Sequence, residues 1–287
     1  MATLRQLVEE ELGIAVDPRI VAMAEAIAAK HGDASRAVLF YGSCLREKQI
    51  EGLMLDFYLI VSDYGAAYDK RWLAAANRLI PPNVFPFQDD GLAAKYAVLS
   101  EADFDRLNGP ETRNVSVWAR FAQPSRLVWS SDKEARNRAI DAVARAAPTL
   151  LAAESSFVSK CDVLELWRNA FTLTYSAELR TEGKARSGSI VDTDPDRYRR
   201  FYHPAMAAVE PNAPRFSWAR RRIEGKLLSV LRLAKASATY AGGAEYIAWK
   251  INRHAGTQIE LKPWQKRHPL LAAISLLPRL LRSGAIR

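Results

Sequence analysis

The sequence predicts an α+β protein in three parts: a mixed-sheet unit over residues 1–131, a mostly helical unit over 132–236, and a basic amphipathic tail over 237–287. Three observations carry this reading. In the first part, β-branched and aromatic runs at 36–41, 53–61, 84–87, 93–100 and 126–129 alternate with turn residues and helical spacings. From about residue 132 the strand signals stop and amphipathic helical periodicity takes over. Beyond residue 240, aromatic, basic and aliphatic residues mix, ending KPWQKRHPLLAAISLLPRLLRSGAIR.

In chain order, residues 3–31 read as two helices divided by Asp17-Pro18. Leu4, Leu7 and Val8, then Ile20, Met23, Ala24 and Ile27, recur at helical spacing. A strand at 36–41 and a second at 53–61 follow. Residues 66–79 read as a helix with Trp72, Leu73, Ala76 and Leu79 turned to the sheet, ended by Pro81-Pro82-Asn83. Asp89-Asp90-Gly91 between two strand-like runs predicts a hairpin. Ser100-Glu101-Ala102-Asp103 is a capped helix start, 114–121 a short helix and 126–129 a further strand. Helices are expected at 132–152 and 160–182. A polar loop at 183–196, a proline-rich segment at 204–214 and a basic helix at 217–236 follow.

Composition narrows the function classes. No run of 18 apolar residues occurs, which argues against a transmembrane helix. The N-terminal stretch MATLRQLVEEELGIAVD is acidic and lacks the apolar core of a signal peptide. Cys44 and Cys161 suggest neither a disulfide framework nor a zinc site, and His203, His254 and His268 have no metal-ligand spacing. A cytoplasmic location is therefore expected. The formal charge of +9 points to an anionic partner, whether nucleotide, nucleic acid or acidic lipid surface.

The chemistry concentrates in residues 38–62, VLFYGSCLREKQIEGLMLDFYLIVS. A strand ends in Gly42-Ser43, and a second strand carries one carboxylate, Asp56. Glycine lets backbone approach a triphosphate, the Ser43 hydroxyl and neighbouring N–H groups suit phosphate oxygens, and a strand carboxylate suits Mg²⁺. This is the arrangement a nucleotidyltransferase-fold domain needs. The generic pattern places a second acid two residues on, on the same strand face, where this chain has Tyr58.

Several segments together resemble the mitochondrial-type phosphatidate cytidylyltransferases, the translocator assembly and maintenance protein family, over roughly residues 36–205. They are Tyr41-Gly42-Ser43, Met54-Leu55-Asp56-Phe57, Val61-Ser62-Asp63, Asp90-Gly91, and Lys95 to Ser100 as KYAVLS. The last is Thr174-Tyr175-Ser176-Ala177-Glu178-Leu179-Arg180. That family also carries a lone Asp followed by Phe on its second strand. Departures are Cys44 after the Gly-Ser pair and Ala177-Glu178 in place of Gly-Asp.

The resemblance implies a nucleotidyltransferase domain followed by helices. It also implies Mg²⁺-dependent transfer from CTP to phosphatidic acid, releasing pyrophosphate, at an anionic membrane surface to which the protein is peripherally attached. Asp56, Ser43 and Lys95 are the expected catalytic residues. Gly42, Ser43, Tyr175, Ser176, Glu178 and Arg180 are expected to bind nucleotide, with Asp56 and Glu178 as metal ligands. On a predicted helix Tyr175 and Glu178 share a face. Arg220, Arg221, Arg222 and Lys226 are candidates for the lipid head group, and the segment 263–287 for an interfacial element. Each has a plainer alternative: Asp90 as a turn residue, Lys95 as a strand lysine, the basic helix as a solvated face, the tail as a helix closing the core. Transfer to another phosphorylated acceptor, or non-catalytic binding of nucleic acid or a protein partner, stay open as rival functions.

Overall fold

The computed structural model describes residues 2–47, 50, 52–154, 162–178, 190–214, 216–239 and 262–263. Five strands, β1 (Ser35–Tyr41), β2 (Met54–Val61), β3 (Asn83–Asp89), β4 (Leu92–Ser100) and β5 (Ser125–Ser130), form one sheet in the order β3-β4-β2-β1-β5. β1 runs antiparallel to β2 and β5, β3 antiparallel to β4, and β2 parallel to β4, so the sheet is mixed. Together with its many helices this makes the fold α+β, as the sequence predicts. The β3–β4 turn has positive φ at both Asp90 (43°) and Gly91 (72°), the backbone of a two-residue hairpin turn, so Asp90 is a turn residue.

Both faces of the sheet are covered, which explains why β2 reads as a nearly continuous apolar run rather than an alternating one. One face packs Val38, Phe40, Phe57, Leu59 and Val98 against Ile20, Met23, Ala24 and Ile27 of helix α2 (Pro18–Ala29). The other packs Leu39, Tyr58, Ile60, Ala97 and Leu99 into a larger core. That core continues through helices α1 (Leu4–Leu12), α7 (Trp118–Phe121), α8 (Lys133–Ala144), α9 (Ala146–Ala153), α10 (Val163–Ala177) and α11 (Pro195–Ala207). Inside it, Arg197 of α11 donates from Nη2 to Glu11 Oε1 of α1 at 2.9 Å, and its Nε pairs with Glu11 Oε2, an ion pair almost without solvent contact.

Several sequence expectations are corrected. The region expected as one helix at 132–152 is two, α8 and α9, because Pro148 lacks an N–H and its ring would meet the carbonyl of Ala144 in a continuous helix. α11 occupies residues assigned to loop and proline-rich segment. Asp194 caps it by accepting from Arg197 N at 3.1 Å, Pro195 sits in the first turn, and Pro204 is accommodated inside. The region 66–79 is two helices, α4 (Tyr64–Ala67) and α5 (Arg71–Leu79). Trp72 and Leu79 point outward, 48% and 79% exposed, whereas Leu73 packs partly buried against the core as expected and the buried side chains are Ala74 and Asn77. Asn77 donates to Val98 O at 2.9 Å and accepts from Asn83 N, so a polar clasp adds to the apolar contacts of Leu73 and Ala74 in fixing α5 against β3 and β4.

Helix α12 (Trp218–Thr239) crosses the sheet face beside β3 and packs on α10. Its close approach depends on Gly225, where a Cβ would collide with the carbonyl oxygen of Ala177. The tail predicted to be amphipathic lies almost wholly outside the described residues, as does Cys161.

Candidate active site

Strand pairing assembles the site. Tyr41, the last residue of β1, stands opposite Asp56 on β2, and Asp56 stands opposite Lys95 on β4. Side chains in register across neighbouring strands share a face, so this row of three opens on the side covered by the C-terminal helices. Gly42 follows with φ of 101°, a conformation L side chains rarely adopt. A Cβ there would lie 2.9 Å from Asp56 Oδ2. Glycine thus brings backbone directly against the carboxylate, and Ser43 opens a short helix, α3 (Ser43–Glu47), whose first N–H groups have no partner within the helix.

Lys95 Nζ is 3.0 Å from Asp56 Oδ1. The approach balances charge without hydrogen-bonding alignment, because Oδ1 is shielded from solvent and accepts no hydrogen bond among the described residues. A buried carboxylate oxygen in that state is suited to a cation. No group of three or more His, Cys, Asp or Glu among the described residues is placed to hold a metal ion. A divalent ion such as Mg²⁺ would have one protein carboxylate here, Asp56, shared with Lys95, and would take the rest of its shell from phosphate oxygens and water.

Beside this row lies a cavity of about 160 Å³ between the sheet and α12. Tyr41, Tyr58, Lys95, Arg120, Arg232 and Lys235 contribute to its wall. Arg120 pairs with Glu178 at 3.4 Å. Arg232 donates from Nε to Pro81 O at 2.8 Å and from Nη1 to Ser116 Oγ at 3.0 Å. Lys235 Nζ donates to Pro82 O at 2.8 Å and to Ile80 O. Four cations and two carboxylates therefore meet here.

Burial is the largest cause of the titration shifts at Lys235 and Arg232, with charge second. Burial, and then the neighbouring Arg232 charge, push the Lys235 ammonium down to about 7. Burial also lowers Arg232, although Glu178 works the other way. At Arg120 burial is outweighed by Glu178, Tyr58 and Tyr41, and the pKa rises. The Tyr58 hydroxyl is pushed up by burial, against the opposing pull of Arg120 and Arg232, and stays neutral. Where the generic motif carries its second acid, this chain has an uncharged phenol in an aromatic cluster with Tyr41 and Phe121.

Gly42, Ser43, Asp56 and Lys95 thus come together as the sequence suggests. Glu178 reaches the neighbourhood as the counter-ion of Arg120, but α10 ends at Ala177 and Glu178 has extended backbone, so the predicted helical face shared with Tyr175 does not exist. Tyr175 packs at the edge of the larger core. Ser176 Oγ donates to Leu173 O at 2.7 Å and accepts from Arg222 Nε at 3.2 Å. Arg180 lies outside the described residues.

Of the four α12 cations expected to meet a head group, Arg221 is a correction. It is buried among the rings of Trp118, Phe216 and Trp218 and donates to Thr112 O (3.2 Å) and Arg113 O (2.9 Å). It holds the fold and offers no surface. Arg220, paired with Glu224 at 2.9 Å, and Arg222 and Lys226 are exposed. Sequence reasoning passed over Arg120, Arg232 and Lys235 as site residues. One signal was available: Arg221, Gly225, Arg232 and Lys235 recur on one helical face, whereas Ile223, Leu227 and Leu231 fall on another and are exposed.

No protein-family profile matches the chain, and no curated protein does. Among solved structures it is similar to a nucleotidyltransferase-like protein from Exiguobacterium sibiricum. The TM-score is 0.30 and the identity 9%, over 92% of each chain. No described helix is long and apolar enough to cross a membrane.

Proposed function

We propose that this chain is a Mg²⁺-dependent nucleotidyltransferase acting on a phosphorylated acceptor, with CTP and phosphatidic acid as the substrates its sequence resemblance favours. The observation that carries the reading is the contact of Gly42 with Asp56: a left-handed glycine that leaves backbone N–H groups beside a strand carboxylate. In this reading the turn at 42–43 cradles the triphosphate, and Asp56 would hold the ion. When bound, Mg²⁺ would supply charge neutralisation at the phosphates. Lys95, in register with Asp56, takes up the negative charge that spreads over the transferring phosphoryl oxygens.

An oxygen of the acceptor phosphate attacks the α-phosphorus, the bond to the bridging oxygen of pyrophosphate breaks, and pyrophosphate leaves with that electron pair. The acceptor is largely ionised near neutral pH, so no strong general base is needed. Positioning and electrostatics carry the rate. The test is pyrophosphate release from CTP with Mg²⁺ and phosphatidate-containing vesicles, for the native chain and Asp56→Asn. Lipid-dependent release lost in the variant supports the reading. Absence of release from the native chain with any nucleoside triphosphate and phosphorylated acceptor overturns it.

A further inference from the structure

The cavity between β4 and α12 differs in character from the Gly42–Asp56 corner. Its far wall is cationic and comes from elements that take no part in the Gly-Ser turn: Arg120 at the end of α7, and Arg232 and Lys235 on α12. At about 160 Å³ it is smaller than the roughly 300–1,000 Å³ of sites that take a whole drug-sized molecule. It has room for a phosphate group and a few waters.

The cations are held in place from behind. Carbonyls of Ile80, Pro81 and Pro82 and the Ser116 hydroxyl fix the Arg232 and Lys235 head groups, so little ordering remains to be done when an anion arrives. Each keeps donors beyond those bonds, because a guanidinium has five N–H groups and an ammonium three. The charged and titratable groups around Lys235 are Arg232, Arg120, Lys95 and Glu178, with Tyr58, Tyr41 and Asp56 behind them. Among these only Glu178 and Asp56 are acids, and both already face a cation. A cavity that gathers more positive charge than it neutralises is relieved by a bound anion.

We infer that Arg120, Arg232 and Lys235 form a binding site for a phosphate monoester dianion, the attacking group of the acceptor, separate from the triphosphate cradle at Gly42–Ser43. Lys95, on the row between them, would face both phosphates. The assignment rests on the nucleotidyltransferase reading for the word acceptor, but the dianion site stands on the cavity alone. The same chemistry fits a lipid head group, a sugar phosphate or free phosphate.

The experiment is calorimetric titration of the metal-free native chain near pH 7 with inorganic phosphate, glycerol 3-phosphate and short-chain phosphatidate. It is repeated on Arg232→Gln, Lys235→Met and the charge-preserving Lys235→Arg, with circular dichroism as the folding control. Native binding, weakened about tenfold or more in the two neutral variants and kept in Lys235→Arg, is the expected result. Binding in two buffers of different ionisation heat should also reveal proton uptake, which needs no variant. Preference for phosphatidate over glycerol 3-phosphate identifies a lipid source, and equal binding a soluble one.

Failure of the native chain to bind any of the three overturns the site. Displacement of bound phosphate by CTP with Mg²⁺ assigns the cations to the nucleotide and overturns the acceptor role. A chain that binds phosphate through Arg232 and Lys235 yet never releases pyrophosphate keeps the site and loses the nucleotidyltransferase reading.

Discussion

Gly42 and Asp56 occupy each other's space: a single methyl group on the glycine would press to within 2.9 Å of the carboxylate Oδ2. The backbone there, at φ of 101°, already belongs to glycine. Gly42→Ala should therefore cost about 1–3 kcal/mol of stability through strain. It should also swing Asp56 out of line, removing pyrophosphate release in a chain that still folds. Urea unfolding beside the activity assay separates the two effects, and an active Gly42→Ala chain would refute the cradle.

Arg221 is expected to matter for folding and to be silent in lipid binding. Arg221→Ala empties a slot walled by three aromatic rings and leaves the Thr112 and Arg113 carbonyls without their donor, a loss of about 2–4 kcal/mol. Flotation with anionic vesicles should be unchanged at temperatures where the variant is folded. Weaker flotation with unaltered stability would restore a head-group role.

The buried pair of Glu11 and Arg197 joins the first helix to the second half of the chain. Glu11→Leu or Arg197→Met alone should destabilise by about 3–5 kcal/mol, because each leaves a buried charge without its partner. The double variant Glu11→Leu, Arg197→Met should recover a large part of that. Chemical denaturation of the four chains gives the coupling directly, and additive losses would mean that the two charges act independently.

Lys235 sets a pH dependence of stability with a definite sign. Its folded pKa of about 7 lies below the 10.5 of an ordinary lysine. Between these values the unfolded chain holds a proton that the folded chain has released. Stability should therefore climb as pH rises from about 7 across that window. Below it both states are protonated and the cost of the buried charge is fully present. Lys235→Met should flatten the rise in a series of urea unfolding curves, and an unchanged slope would show that the lysine is solvated.

Gly225→Ala should loosen α12 from α10, since the added carbon meets a backbone oxygen rather than a movable side chain. A thermal melt lowered by several degrees, together with weaker phosphate binding, is expected. Lower stability with native phosphate affinity would mean that this helix contact does not position Arg232 and Lys235.

The strand order of chemistry was legible because it is local. Glycine before serine, and one acid in an apolar run, are visible wherever they stand. The hairpin at Asp90-Gly91 was legible for the same reason. α11 was hidden by its two prolines, although Asp194-Pro195 is a good helix start once read as one. The outward turn of Trp72 was hidden because the buried face includes Asn77, whose burial depends on finding Val98 and Asn83 across the sheet edge. Arg120 lies far from Arg232 and Lys235 in sequence and meets them only through tertiary packing. What their sequence did offer was a helix with cations on the face a core helix would make apolar.

The pairing of Tyr41 with Asp56 has one more consequence, for how this protein tolerates change in length. The turn and the acid are neighbours because β1 and β2 pair, while the connection between them anchors itself separately, with Cys44 and Ile50 buried in the core. Insertions beside Gly52, where a Cβ would meet nothing, should therefore be accepted with the site intact, each doubling of the loop costing only about 0.6 kcal/mol, whereas loss of the buried Ile50 should not. A single residue added inside β2, between Asp56 and Tyr58, would invert every side chain before it relative to those after it and bury the carboxylate in the wrong core. Relatives of this chain would then be recognised by constant strands around a spacer of variable length.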